Sequence, residues 1–341
     1  MKNLNYKKLF GFLVIIAAVL TFNAVSGHTL GSSGDVAGPT TMMAAVAKTE
    51  LIERELINKF RHEATWLTQV PSKNQWVNVN VIRLNEIGAD PTVLVDNTSY
   101  PISISARTDT SAPISLYKYD TTNTKITDDE LYALPYDKIG SVQRQHRETL
   151  EEQTQWHALW NLAPAANATS TPVIETTGEA VGVTAGDRKR LCSADLVNLK
   201  KKLDALLIPA QGRVLVLSPD HVADLLLEDK ALLVQYQNHT NGMISKMYYG
   251  FEIYEHQNEV KYDASGDKLA FKSATAGRNA SVLFHKKTTA KARGSVAAYA
   301  ALAKDDPTNR QTVLGMRLWF ICVPTQAKGQ GAIIDGLVAG A

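Results

Sequence analysis

The stretch from Asp137 to Trp160 constrains this chain most, because it reads as a single long helix. Ile139, Val142, His146, Leu150, Gln153 and His157 recur along one stripe, while Arg144, Arg147, Glu148, Glu151 and Glu152 occupy the remainder of the surface. At about 1.5 Å per residue such a helix is roughly 35 Å long. A rod of that length must lie along a large body, with one side packed and the charged side facing water. Thr127-Asp128-Asp129-Glu130 precedes it as a capping box, a hydroxyl with a glutamate three residues on, and Pro135 separates the two. Pro164 lies just past the end.

With 341 residues the chain has length for two compact units or one large one, and at 45% hydrophobic and 21% charged it can bury a sizeable core. The net charge of +2 shows none of the strong basic excess of a dedicated nucleic-acid binder. Cys192 and Cys322 form no metal-binding pattern with the histidines. Cys322 lies in the apolar run Leu318–Val323, where a thiol acts as a small hydrophobe; a disulfide between the two cysteines stays open at this point.

The first forty residues have a different character. Lys2, Lys7 and Lys8, the apolar run Leu9–Leu20 and the small residues Ala24-Val25-Ser26 have the form of a secretory signal. Gly27 to Thr41 is a Gly/Ser/Thr-rich linker, and Met42-Met43-Ala44-Ala45 resembles a natural start. Export of a bacterial envelope or surface-binding protein is therefore one reading of the chain, and a removable N-terminal segment is another.

Thr49 to Leu67 carries the periodicity of an amphipathic helix. Trp76 to Val81 alternates as a half-buried strand, and Ile102-Ser103-Ile104-Ser105 alternates again after a turn-rich stretch. Together they predict a two-stranded excursion from Trp76 to Arg107. Leu116–Tyr119 is a further strand, and Ala165 to Gly186 a linker marking the best internal boundary. Ser193 caps a helix to Leu207, Arg213–Leu217 is a buried strand, and Ser218-Pro219 opens another helix. Tyr248–Tyr254 reads as one strand bulged at Gly250; Ser281–His285 and Thr312–Pro324 complete the strands.

No catalytic or cofactor-binding constellation emerges. The strand and helix at Arg213–Leu227 lack a phosphate-binding glycine loop, which leaves a soluble α/β enzyme with little behind it. Gly329 and Gly331 read as a turn near the chain end. His146 and His157 are three helical turns apart, too far for one metal ion, and His221 beside Asp220 has no nucleophile elbow. Lys286, Lys287, Lys291 and Arg293 read as a solvated basic loop, with DNA phosphates the sharper option.

The order of these pieces resembles the major capsid proteins of tailed bacteriophages, whose fold is shared with the floor of herpesvirus shells. Ala106–Asp109, Ile114–Tyr119 and Leu131–Lys138 are similar to the passage into the long helix of such proteins. Arg213–Pro219 and Gly250–Glu255 are similar to their axial-domain strands, and Arg310–Pro324 with Ala327–Ala332 to the returning peripheral strand. The resemblance implies an α+β fold divided as a removable segment and linker 1–41, an N-terminal arm 42–75, an extended loop 76–107, a peripheral domain 108–186 with a spine helix, an axial domain 187–290 and a returning strand 291–341. It implies a non-enzymatic shell subunit without cofactor, metal or small-molecule substrate. Its partners would be its own copies in pentamers and hexamers, a portal, a scaffold or protease during assembly, and enclosed DNA by weak contact.

Overall fold

The computed structural model describes residues 65–341, apart from 79–80, 87, 89–90, 105, 134–136, 229–246, 307, 327 and 340–341. The signal-like segment, the linker and most of the helix predicted at Thr49–Leu67 lie outside the described residues, as does Pro135. Thr65–Leu67 fall in a short 3-10 turn, Thr65–Gln69, that buries Trp66.

The strands are β1 Val77–Asn78, β2 Val81–Glu86, β3 Thr110–Ser115, β4 Tyr117–Asp120, β5 Thr124–Thr127, β6 Val173–Glu175, β7 Arg213–Leu217, β8 Met247–Tyr248, β9 Phe251–Glu255, β10 Val260–Tyr262, β11 Arg278–His285, β12 Thr289–Ala301, β13 Gln311–Pro324 and β14 Gln330–Ile334. The helices are α1 Asp128–Ala133, α2 Lys138–Leu162, α3 Ser193–Ala205 and α4 Pro219–Glu228.

Helix α2 is the long helix, 25 residues capped by the Asp137 carboxylate, which accepts from Gly140 N at 2.9 Å. Its buried face is Val142, His146, Leu150, Thr154, Ala158, Leu159 and Leu162. The predicted stripe drifts off this face at Gln153 and His157, because a step of three or four residues, repeated, loses register with a 3.6-residue turn. Lys268 Nζ closes the far end by donating to Trp160 O (2.9 Å) and Ala163 O (2.7 Å), a cation placed on the helix's negative pole.

Seven strands form the central mixed sheet, in the order β6-β14-β11-β7-β9-β8 with β10 also on β11. All five residues of β7 are buried. Val214 and Val216 pack with Leu159 and Leu162 of α2, while Leu215 and Leu217 pack with Leu196, Leu199 and Leu203 of α3 and Leu225 of α4. A strand covered on both faces reads as a continuous apolar run, which is why Arg213–Leu217 is legible in the sequence. A second sheet sets β13 between β12 and the pair β4 and β5; Met316, Leu318 and Phe320 from β13 join the core beneath α2. A third sheet is the antiparallel set β1-β2-β3.

Several expectations need correction. The strand predicted at Trp76–Val81 is not one strand: Trp76 ends a 3-10 turn, and Val77–Asn78 pairs antiparallel with the start of β2 (Val77↔Ile82). The other partner of β2 is β3, in the register Val81↔Ser115 to Glu86↔Thr110, and Ile102, Ser103 and Ile104 belong to no strand. Alternation signals a strand with one buried face, and here residues 101–104 are all exposed. The linker Ala165–Gly186 contains β6, which pairs in parallel with β14. Tyr248–Tyr254 is two strands: Tyr249 (φ 48°) and Gly250 (φ 84°) make a tight two-residue hairpin turn with both residues left-handed, not a bulge. The basic loop at Lys286–Arg293 is a 3-10 turn followed by the long strand β12. Gly329 does turn (φ 92°), but β14 follows at once and sits inside the central sheet. Helix α3 begins rather than caps at Ser193, with Cys192 as the cap, and it ends at Ala205. Cys192 and Cys322 are both free thiols.

Candidate functional site

Among the described residues, packing is left incomplete at the connection between β2 and β3. Its root is anchored: Ile82 and Leu116 pack with Ala292 and Ile321 of the β12–β13 sheet. The connection is also tied locally. Gly88 N donates to Asp109 Oδ1 at 2.9 Å and Arg107 pairs with Asp109 at 2.7 Å. These two donors hold the Asp109 carboxyl below its ordinary range. A Cβ on Gly88 would sit 2.3 Å from Thr108 O, so this closure requires glycine. Beyond it the residues change character. Val93 is 82% exposed, Val95 81%, Tyr100 75% and Ile104 100%, with Leu94 and Ile102 about half exposed. Single exposed apolar residues are ordinary, whereas several large ones within one connection form a candidate interaction surface.

The histidines of α2 are held locally. His146 Nδ1 meets Thr121 Oγ1 at 2.8 Å and Nε2 meets Thr124 Oγ1 at 3.0 Å, so both ring nitrogens are occupied. His157 Nδ1 meets the Tyr119 hydroxyl at 2.5 Å, and the ring stacks on Trp160. Burial lowers the pKa of both, for His157 together with the nearby charges of Lys268 and Lys272. They pin α2 to β4, to β5 and to the turn between them. Glu130 closes the expected capping box on Thr127 N (3.1 Å) and pairs with Lys138.

One constellation escapes the sequence. His221 lies between Ser281 Oγ (Nδ1, 2.6 Å) and Asp335 Oδ1 (Nε2, 3.1 Å), the partners of a hydrolase triad. Asp335 also accepts from Asn279 N. Beside it Arg188 makes a two-pronged pair with Asp224, at 2.6 and 3.0 Å. Ser281 and His221 are fully buried and Asp335 is 4% exposed. Ser281 Oγ already accepts from Ser218 N. An arrangement in which Ser281 donates to Nδ1 and Nε2–H donates to Asp335 gives every member a partner. Buried among the described residues, these groups serve as a tie joining β11, α4 and the residue after β14. No short-range motif announces it, since His221 and Asp335 are 114 positions apart.

Of the basic residues 286–293, Lys286 pairs with Glu252 at 2.6 Å and Lys291 Nζ donates to Leu67 O at 2.6 Å. Lys287 and Arg293 are exposed. Cys322 is buried, which pushes its thiol up to about 12 and makes it inert. Among the described residues no cluster of side chains could hold a metal ion, and no helix is long and apolar enough to cross a membrane.

No family model and no curated protein matches the sequence. The fold does match solved structures. The chain is similar to the capsid structure of the cyanophage P-SCSP1u (TM-score 0.61, 14% identity, 84% of this chain and 92% of that one). It is similar to the capsid of cyanophage Pam1 (TM-score 0.58, 10% identity, 93% of this chain and all of that one) and to the mature capsid of bacteriophage PhiM1 (TM-score 0.58, 13% identity, 84% and 91%). This chain therefore has the fold of phage capsid chains, and the match spans most of it.

Proposed function

We propose that this protein is the structural subunit of an icosahedral phage shell that encloses double-stranded DNA. The observation that carries the reading is the near end-to-end match in fold to chains that build phage capsids. The exposed apolar connection between β2 and β3 fits it: a strand pair with an uncovered apolar tip gains its packing from a neighbour. In this reading residues 42–75 are the arm and α2 is the spine of the peripheral domain. Residues 187–290 form the axial part together with β6 and β14, which complete its sheet, and the extended loop assigned to 76–107 reaches on to its return strand at Ser115. Copies of the chain are the main partners, in pentamers and hexamers, with portal, scaffold or protease joining during assembly. Exposed Lys287 is the residue of the basic group whose side chain reaches DNA phosphates in this reading.

The subunit is not an enzyme in this reading, because the triad-like arrangement at His221 is sealed. Sedimentation velocity of the purified full chain, alone and with co-expressed assembly factors of its phage, tests the proposal. Pentamers, hexamers or shell-sized species are expected; a stable monomer under every condition would count against it.

A further inference from the structure

We propose that the outer half of β12 is a second self-association surface, on which the same strand of another copy pairs antiparallel about Tyr299. This rests on the self-assembly reading and adds a contact to it.

β12 is an edge strand, and β13 is the one strand it pairs with among the described residues. Its inner half is covered by the chain itself. Lys291 N donates to Pro71 O (2.9 Å), Lys73 N donates to Lys291 O (2.8 Å), and Arg293 N donates to Asn74 Oδ1 (2.9 Å). The cover stops there, next to a register shift between Arg293 and Val296. From Val296 to Ala301 nothing among the described residues bonds the edge, and Val296 and Tyr299 are 47% and 51% exposed. Natural edges are blunted by lysine, proline or short length. This one runs uncharged from Gly294 to Leu302, Gly-Ser-Val-Ala-Ala-Tyr-Ala-Ala-Leu.

The hydrogen bonds fix which residues face outward. Met316 spends its N–H on Thr121 Oγ1 and its C=O on Thr121 N, on the side of β13 away from β12. Ala298 stands opposite Met316, so its N–H and C=O point off the free edge, as do those of Val296 and Ala300. A strand added here must therefore bond at even-numbered positions. Antiparallel pairing with Tyr299 opposite its own copy meets this rule: Ala298 faces the other copy's Ala300 in a bonded pair, twice over, and Tyr299 falls at the unbonded two-fold centre. The small alanines allow close approach. Charge favours the same arrangement. Arg293 precedes the free stretch and Asp305 follows it, and neither makes an ion pair among the described residues. Antiparallel pairing carries each Arg293 toward the other copy's Asp305.

The test uses full-length Tyr299→Cys in assembled particles. Directly opposed unbonded positions have Cα atoms about 4.5 Å apart, within disulfide range. Mild oxidation should give a cross-linked dimer as the main species on a non-reducing gel, whereas Ala298→Cys alone, facing residue 300, should give none. Adding Ala300→Pro, which removes an outward N–H that β13 does not use, should abolish the cross-link of the Tyr299→Cys chain. Particles without the dimer, or cross-links from position 299 to a different protein, overturn the edge pairing and leave the shell reading intact. Cross-linked dimers from a chain that builds no particle support the pairing while defeating the shell. A chain yielding neither particles nor dimers overturns both.

Discussion

At the scale of single residues, several buried polar groups are fastened in pairs, and removing one partner exposes the cost of the other. Asp224 is nearly sealed while Arg188 reaches it from the surface, with side-chain exposures of 3% and 24%. Arg188→Ala leaves that carboxylate with only the Leu191 N–H as an observed donor and should destabilise the fold by about 3 kcal/mol in denaturant titration. A change below about 0.5 kcal/mol would show the pair to be dispensable. The histidines of α2 give a pH signature. Burial lowers the pKa of His146 and His157, so the unfolded chain binds more protons than the folded one as pH falls below about 6.5. The stability of the neutral forms is fully present above that pH and is lost on acidification. The melting temperature of the subunit should drop from pH 7 to pH 5, and His146→Gln should shallow that slope; a slope unchanged by the substitution would clear His146 of any part in it.

Elements are legible in the sequence to the degree that burial imposes a pattern on them. α2 is readable because its length, its Asp137 cap and Pro164 agree, and β7 because both of its faces are buried. β12 is not, because Thr-Ala-Lys-Ala-Arg-Gly-Ser-Val-Ala-Ala-Tyr-Ala-Ala mixes small residues with charges and half of the strand has no buried face to impose alternation. β14 is hidden by Gly329 and Gly331, since a glycine pair reads as a turn when only the second of them sits in a strand. Ile102–Ile104 errs the other way, alternating like a strand while exposed. At the candidate site, the residues announce the excursion but misplace its return strand by several positions, and the His221 tie joins positions too distant for any motif. The excursion also separates assembly from folding. Val93→Ser with Val95→Ser and Ile104→Ser touches side chains more than four-fifths exposed, so thermal melting of the subunit should move by no more than about 0.5 kcal/mol. Assembly yield on a density gradient should fall several-fold. Unchanged yield would detach these residues from any interface.

Over the whole molecule, two kinds of surface stand against each other. The central sheet is covered on both faces and closed at one end by the Ser281–His221–Asp335 tie. The β2–β3 connection and the outer edge of β12 are left with apolar groups and strand bonds that no described residue of this body uses. Single-particle electron microscopy of the full-length chain purified as particles puts that contrast to the test. A closed icosahedral shell is expected, with residues 93–104 lying against a neighbouring subunit. A chain that remains monomeric, or a particle in which those residues pack only on their own subunit, would contradict it.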